Sequence, residues 1–200
     1  MKLLAFTDLH LSSIAFKKIK SKVKRQKPDL LISAGDLTIF ENGLDFILNK
    51  LNKLNVKTLL IHGNHETAGV MKRLCKKRKN LVFVHKKHLK CNNCIFLGYG
   101  GSGFALSEPG FYFTGKKFRK IIRKSKNRKI IFITHAPPYG TKLDLIVGNH
   151  CGNRTFRNFV SKNKIDLYIC GHLHENFNKK DHIKGTRIIN PGPYGKVIRI

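Results

Sequence analysis

Short apolar runs alternate along the chain with segments of helical periodicity. The apolar runs predict buried strands at 2–6, 28–35, 56–61, 81–84, 94–100, 129–134, 166–170, 186–190 and 196–200. Apolar residues spaced three or four apart predict helices over 12–26, 44–54, 67–78, 116–126 and 154–163. This alternation is typical of an α/β domain with a largely parallel sheet, and the closer spacing of the later strands predicts an antiparallel part.

Length and hydropathy favour one compact domain, which we expect to span residues 1–200. No apolar run approaches the roughly 20 residues that cross a bilayer. The N-terminal stretch "MKLLAFTDLHLSS" lacks a long apolar core and a small-residue cleavage site, so it predicts a first strand rather than a signal peptide. We therefore expect a cytoplasmic protein with no membrane partner.

Five cysteines are present, an odd number that does not suit a disulfide framework. Cys91 and Cys94 form a C-x-x-C pair, but no second pair supplies the spacing of a zinc ribbon. Free thiols in a reducing compartment are the favoured interpretation, and a local disulfide or redox pair at Cys91 and Cys94 is the alternative.

The charge balance is strongly basic. Forty Lys and Arg residues face eleven Asp and Glu residues, a formal net charge of +29. A positive field of this size attracts polyanions and speeds their encounter with the protein, so nucleic acid is a predicted partner. Charge alone does not predict specific binding.

Polar side chains of metal-ligand type follow five of the predicted strands directly. These side chains are Asp8 and His10, Asp36, Asn64 and His65, His135, and finally His172 and His174. Ligands in open α/β sheets bind at the carboxyl ends of strands, where such residues converge. Each element alone is weak, since a His near a core is usually structural and a Gly-Asp after a strand is usually a turn. Five strand ends that each carry such a side chain in one chain indicate a metal site.

Two carboxylates, a carboxamide and several imidazoles form a mixed nitrogen and oxygen set. This set suits Mn, with Fe, Zn and Co as alternatives, better than Ca or Mg. Seven ligands are too many for one tetrahedral ion and fit two ions that share a bridge. A two-metal site activates water as a metal-bound hydroxide and clamps a displacement at phosphorus, which predicts phosphoester hydrolysis.

In order, "DLH", "GD", "GNHE", "H" and "GHLH" resemble the motifs of the calcineurin-like metallophosphoesterase superfamily, from Asp8 to His174. The tail "IINPGPYG" resembles the closing turn of that family. The segment "THAPPYGTKLD" followed by "GNHCG" resembles its small phosphodiesterase-like branch. The resemblance implies two facing mixed β-sheets flanked by helices.

The resemblance also implies a role for each motif residue. Asp8, His10 and His174 would hold one metal, Asp36 would bridge, and Asn64, His135 and His172 would hold the other. His65 would act on the substrate, either protonating the leaving oxygen or stabilising phosphoryl charge, a role that suits histidine side chains in general. Glu66 has two interpretations, one in which it orients His65 and one in which it is a first-turn helix residue favoured by the dipole.

Gly-Asn-His occurs a second time at 148–150, where the required ligand position is already filled by the first copy. Turn residues are the favoured interpretation for Asn149, and His150 is a candidate substrate contact together with Tyr139. Phe111, Tyr112 and Phe113 are candidates for base stacking or for covering a sheet edge.

We predict a two-metal phosphoesterase that favours phosphodiesters of nucleotide or nucleic-acid type. The alternatives are a phosphomonoesterase, and a weakly active or inactive nucleic-acid-binding or scaffold protein on the same fold. The substrate and the oligomeric state do not follow from the sequence.

Overall fold

A computed structural model describes residues 1–200, which form five α-helices and thirteen β-strands. The helices are α1 (Ser13–Gln26), α2 (Leu44–Asn52), α3 (Ala68–Lys76), α4 (Tyr112–Arg123) and α5 (Arg154–Ser161). The first seven strands are β1 (Lys2–Phe6), β2 (Leu30–Ser33), β3 (Thr58–Leu60), β4 (Leu81–Phe83), β5 (Lys87–Cys91), β6 (Cys94–Tyr99) and β7 (Lys129–Thr134). The remaining strands are β8 (Leu145–Ile146), β9 (Asn149–His150), β10 (Leu167–Ile169), β11 (Lys180–Ile183), β12 (Thr186–Ile189) and β13 (Lys196–Arg199).

Most strands belong to two mixed sheets. One has the order β13-β1-β2-β3-β4, in which β1 to β4 are parallel and β13 is antiparallel at the edge. The other has the order β11-β12-β10-β7-β6-β5, with antiparallel β11 and β5 at its two edges. The predicted α/β class is confirmed, and the antiparallel strands lie at the edges around parallel centres.

Three buried clusters define the layers. One lies between the sheets, where Leu3 and Ile32 of the first sheet join Ile131 and Ile169 of the second. A second cluster packs α1, α2 and α3 on the outer face of the first sheet, and a third packs α4 and α5 on the outer face of the second. The strands that are buried on both faces are the ones that read as continuous apolar runs in the sequence.

Side-chain caps begin three of the helices. Ser12 Oγ, Thr67 Oγ1 and Asn153 Oδ1 accept hydrogen bonds from the third residue after each of them, and so satisfy N–H groups that have no partner within the helix. Along α1, Ala15 and Ile19 face the core. Ile14, in the same helix, is 62% exposed.

The sequence pattern misses strands that lack a continuous apolar run. β5 and β11 are polar edge strands. β8 and β9, which have two residues each, form a short hairpin that includes the second Gly-Asn-His. Helix α4 begins at Tyr112 rather than at 116, so Phe111 lies in the core while Tyr112 and Phe113 are exposed.

The cysteines are all free thiols. Cys91 and Cys94 lie opposite each other in the β5–β6 hairpin, and neither forms a disulfide. Burial raises the pKa of the Cys94 thiol. None of the five helices has the length and apolar character needed to cross a membrane.

Candidate metal centre

The motif residues converge at one end of the two sheets. Asp8 and His10 follow β1, Asp36 follows β2, and Asn64 and His65 follow β3. His135 follows β7 of the second sheet, and His172 follows β10. Because the parallel strands of both sheets end on the same side, seven side chains from loops far apart in sequence surround one cleft.

One group of possible ligand atoms comes from the first and last motifs. Asp8, His10 and His174 place an oxygen and two ring nitrogens within 4.8 Å of one another. His10 Nε2 lies 3.3 Å from His174 Nε2, and His174 Nε2 lies 3.7 Å from Asp8 Oδ1. The other ring nitrogen of His10, Nδ1, lies 2.9 Å from the carbonyl oxygen of Thr38. This contact fixes the ring with Nε2 facing the cleft.

A second group lies across Asp36. Asp36, His135 and His172 also place one ligand atom each within 4.8 Å. His135 Nε2 lies 3.2 Å from Asp36 Oδ2 and 3.0 Å from Asn64 Oδ1, while its Nδ1 lies 2.9 Å from the carbonyl oxygen of Ala34. Asp36 Oδ2 is also 4.0 Å from His10 Nε2, so this carboxylate lies between the two groups.

The backbone is strained at several of these residues. Asp8, His10, Asp36 and His172 have positive φ angles of 51°, 41°, 50° and 73°. Residues other than glycine adopt this region rarely, and such strain is concentrated at functional sites.

Two glycines are required by close approach of the loops. A Cβ on Gly35, whose φ is +100°, would lie 2.6 Å from Gly63 N and 2.8 Å from His135 Nδ1. A Cβ on Gly171 would overlap Thr7 Oγ1 and lie 2.6 Å from Asp8 Oδ2. Any larger residue at these positions would push the ligand-bearing loops apart.

Burial and charge set the protonation of the central groups. Burial would raise the pKa of Asp36, but its hydrogen bond to His135 and the charges of His135 and His65 lower that pKa to about 2. Burial would also lower the pKa of His135, whereas Asp36 raises it to about 9. Burial, assisted by the charge of His135, lowers the pKa of His172 to about 4, so His172 is neutral near pH 7.

Glu66 has neither of the two predicted roles. Its Oε2 accepts hydrogen bonds from the N–H groups of Asp36 (3.2 Å) and Gly63 (3.1 Å). Its Oε1 accepts from the N–H and hydroxyl of Thr38, at 2.9 and 3.0 Å. Glu66 makes none of these bonds to His65, and it precedes α3 rather than lying in its first turn. The buried carboxylate instead joins the loops after β2 and β3, a long-range contact that its sequence position does not reveal.

His65 lies at the side of the cleft. Its N–H donates to Asp36 Oδ1 at 3.0 Å, and its Nε2 lies 4.0 Å from Asp36 Oδ2. The ring packs against Phe40 and His10, with centroids 4.8 and 5.1 Å away. Nε2 therefore faces the space between the two ligand groups.

The second Gly-Asn-His lies outside the cleft. His150 Nδ1 is 2.8 Å from Asp144 Oδ1, and its ring centroid is 5.4 Å from that of Tyr139. Neither His150 nor Tyr139 lines the cleft, and their contact with the substrate stays a prediction. Asn149 is an exposed residue of the hairpin. Asp144 holds this loop by accepting several further hydrogen bonds, which explains the orientation of His150.

The cleft has a volume of about 260 Å³ and an apolar rim that the sequence did not predict. Phe104, 66% exposed, lies with its ring 4.3 Å from that of His172, and Ile146 lies on the same rim. Phe104 lies in the Gly-rich segment 101–115. From the sequence, only the later aromatic residues of this segment are considered as substrate contacts. The lining includes Asp36 and Glu175 but no Lys or Arg.

Comparison with known proteins identifies the family. The family model described as calcineurin-like phosphoesterase matches residues 1–176. The chain belongs to this family. Uncharacterized protein MJ1162 of Methanocaldococcus jannaschii is 32% identical over 204 residues, covering 96% of this chain and 88% of that relative. The predicted family is therefore confirmed.

Solved structures share the fold at low sequence identity. TT1561 of Thermus thermophilus has a TM-score of 0.75 at 15% identity, covering 96% of this chain and 89% of its own. A dimetal phosphatase from Danio rerio has a TM-score of 0.70 at 10% identity, with coverages of 94% and 86%. A protein described as a novel archaeal phosphodiesterase has a TM-score of 0.52 at 14% identity, with coverages of 96% and 84%. At these identities the likeness shows the fold alone.

Members of this family are metal-dependent phosphoesterases with two divalent ions, and the residues of this chain fit such a centre. His172 Nε2 is buried and has no hydrogen-bond partner. A buried, neutral imidazole nitrogen without a partner is costly unless a ligand satisfies it. The mixture of carboxylate, carboxamide and imidazole donors suits divalent transition metals.

Proposed function

We propose that the protein hydrolyses phosphodiesters with two divalent transition-metal ions, Mn being the favoured metal. The observation that carries the proposal is the pair of ligand groups that meet at Asp36. Asp8, His10 and His174 would hold one ion, Asn64, His135 and His172 would hold the other, and Asp36 would bridge. When bound, the ions supply Lewis-acid polarisation of the phosphoryl group and a water that ionises at neutral pH.

Hydrogen bonds within the chain orient the proposed metal ligands. Carbonyl oxygens of Thr38 and Ala34 hold the rings of His10 and His135 so that Nε2 of each ring is directed toward Asp36. Glu66 fixes the loop of Asp36 relative to that of Asn64. Rigid placement of the donors matters because a displacement of about 1 Å at a site of this kind lowers the rate strongly.

His65 is proposed as the acid for the leaving oxygen. Its Nε2 faces the cleft close to Asp36 Oδ2, and its N–H bond to Asp36 Oδ1 ties its position to the centre. A proton on Nε2 would be donated to the leaving alkoxide as the P–O bond breaks. General acid catalysis by a placed imidazole contributes about 10²–10⁴-fold.

The charge of the cleft favours a diester over a monoester. A monoester approaches a charge of about −2 at pH 7, and cationic side chains would favour its extra charge in addition to the metal ions. The lining offers none, and Glu175 would repel a dianion. A diester carries one charge and two organic groups. Phe104 and Ile146 provide an apolar rim on which one of these groups can rest.

Parallel assays with bis(p-nitrophenyl) phosphate and p-nitrophenyl phosphate, in Mn, Fe, Co or Zn, would test the proposal. We expect metal-dependent turnover, abolished by a chelator and greater for the diester. Turnover of the monoester alone would overturn the diester assignment. Absence of turnover with every metal would support the alternative of a binding or scaffold protein.

A further inference from the structure

A basic surface pocket lies away from the metal centre. It measures about 790 Å³ and is formed by the end of α4, the loop after it and the end of α5. Its cationic lining residues are Arg119, Arg123, Lys126, Arg128, Lys162 and Lys164. All six are exposed. We call this surface, together with the exposed side of α4, the α4–α5 face.

The α4–α5 face has almost no compensating acid. Between Glu108 and Asp166 the chain contains a single acidic residue, Asp144, which is fully buried. Asp166 pairs with Lys129 outside the cavity. None of the six lining cations forms a salt bridge. Along α4, cations follow one another at three- and four-residue spacing, an arrangement of like charges that destabilises a helix without a counter-charge.

The position of the α4–α5 face separates it from catalysis. Helix α4 runs from the carboxyl end of β6 to the amino end of β7. Its C-terminal Arg123 therefore lies near the edge of the sheet opposite the one that carries the metal ligands. The helix spans about 18 Å at 1.5 Å per residue. A long polyanion is needed to contact both ends of it.

Exposed aromatic residues lie at the start of the same helix. Tyr112 and Phe113 are 56% and 79% exposed, and their rings are 5.2 Å apart. The ammonium group of Lys116 lies 4.3 Å from the centroid of the Tyr112 ring. Aromatic rings that end a cationic groove are the usual means of binding single-stranded nucleic acid, because bases stack on the rings while cations follow the backbone.

A membrane surface fits this helix less well. The large apolar residues of α4 beyond its first turn pack against the second sheet, Phe118 and Ile122 being buried and Ile121 partly buried. An interfacial helix must instead insert an apolar face along its length into lipid. Three arginines in the cavity favour phosphate groups, which their planar guanidinium groups bind with two hydrogen bonds.

We propose that the α4–α5 face binds single-stranded nucleic acid, with the cavity cations on the phosphate backbone and Tyr112 and Phe113 beneath bases. This binding requires no metal ion and no catalytic activity. It therefore stands or fails separately from the proposed hydrolysis.

Fluorescence anisotropy with a labelled single strand of about 20 nucleotides, in EDTA, tests the proposal. The variant Arg119→Gln/Arg123→Gln/Lys162→Gln removes three charges from the face. Its matched control, Lys17→Gln/Lys20→Gln/Lys24→Gln, removes three from exposed positions of α1 on the opposite side of the molecule. We expect at least about tenfold weaker binding for the first variant and less than about twofold for the control. The slope of log K against log salt should fall by about 2 in the first variant only.

Tyr112→Ala/Phe113→Ala is a second variant that leaves the charge unchanged. It should weaken binding about tenfold with no change in salt slope, because stacking rather than ion release is lost. Melting temperatures check that each variant is folded. Equal weakening by the two charge variants, binding to phosphatidylserine vesicles without binding to nucleic acid, or no binding by the wild type would each overturn the proposal.

Discussion

The metal-centre cleft and the α4–α5 face differ in the charge of the side chains that line them. The cleft is lined by imidazoles, an amide, two carboxylates and apolar side chains, with no Lys or Arg. The α4–α5 face carries six unpaired cations around a larger cavity. The excess of Lys and Arg behind the net charge of +29 therefore does not extend to the cleft, where we expect the chemistry. We therefore expect metal ions to supply the positive charge in the cleft, and the cationic side chains to act away from it.

The largest expected effect comes from Asp36→Asn. Asparagine tolerates the positive φ at this position, and its amide oxygen can still accept from the His65 N–H, so the fold should be kept. Loss of the bridging carboxylate should lower kcat by about 10³-fold or more and reduce bound metal, measured by mass spectrometry. Nucleic-acid binding by this variant should equal that of the wild type. If Asp36→Asn also lost nucleic-acid binding, the cleft and the α4–α5 face would not be independent.

The next effect concerns His65. His65→Ala should lower kcat about 10²–10³-fold on a diester with an alkyl leaving group, because the alkoxide then departs without a proton. On bis(p-nitrophenyl) phosphate the loss should be much smaller, since p-nitrophenolate is a good leaving group. His150→Ala is the control, and it should change neither rate because His150 is held by Asp144 outside the cleft. Equal losses on both substrates would exclude the acid role.

Glu66→Gln tests whether the hydrogen bonds of Glu66 hold the metal-binding loops in position. The amide nitrogen cannot accept the hydrogen bonds that one carboxylate oxygen now receives. Hydrogen bonds to charged groups contribute about 1.5–3 kcal/mol each, so the free energy of unfolding should fall by about 2 kcal/mol or more. Metal affinity should fall about 10–100-fold. Denaturant unfolding and metal titration measure the two effects. Unchanged metal affinity would show that the loops hold their positions without Glu66.

The smallest effects come from two exposed phenylalanines, one in each region. Phe104→Ala should raise KM for an aromatic diester about three- to tenfold, the range for loss of one aromatic contact, with little change for a monoester. Phe113→Ala should leave both KM values unchanged and weaken binding of single strands. The two steady-state assays and the anisotropy assay form a crossed comparison. A shift in diester KM for Phe113→Ala would contradict the separation of the two regions.

Much of the fold and of the candidate centre was predictable from local pattern. Continuous apolar runs mark strands buried on both faces, and polar residues directly after those runs mark one edge of the sheets. Asp8, Asp36 and His135 follow from this rule without any knowledge of contacts. Strands β5 and β11 did not follow, because an edge strand with one solvated face has no continuous apolar run.

The roles of Glu66 and His150 show the limit of this reasoning. Glu66 lies beside His65 in the sequence, yet three of its four hydrogen bonds go to the loop after β2. His150 repeats a motif but is held by Asp144. Adjacency in sequence predicts neither contact. The Glu66 contacts depend on where two separate loops meet after folding, and the His150 contact depends on a short hairpin that no apolar run marks.

By itself, the sequence determined the alternation of strands and helices, the family and the identity of the possible metal ligands, because periodicity and motif order are local properties. The tertiary structure alone decided which oxygen and nitrogen atoms share a metal-sized space, which aromatic residues reach the cleft and which cations are left unpaired. These features depend on distances between segments that are remote along the chain, and only the packing of the two sheets and their helices determines those distances.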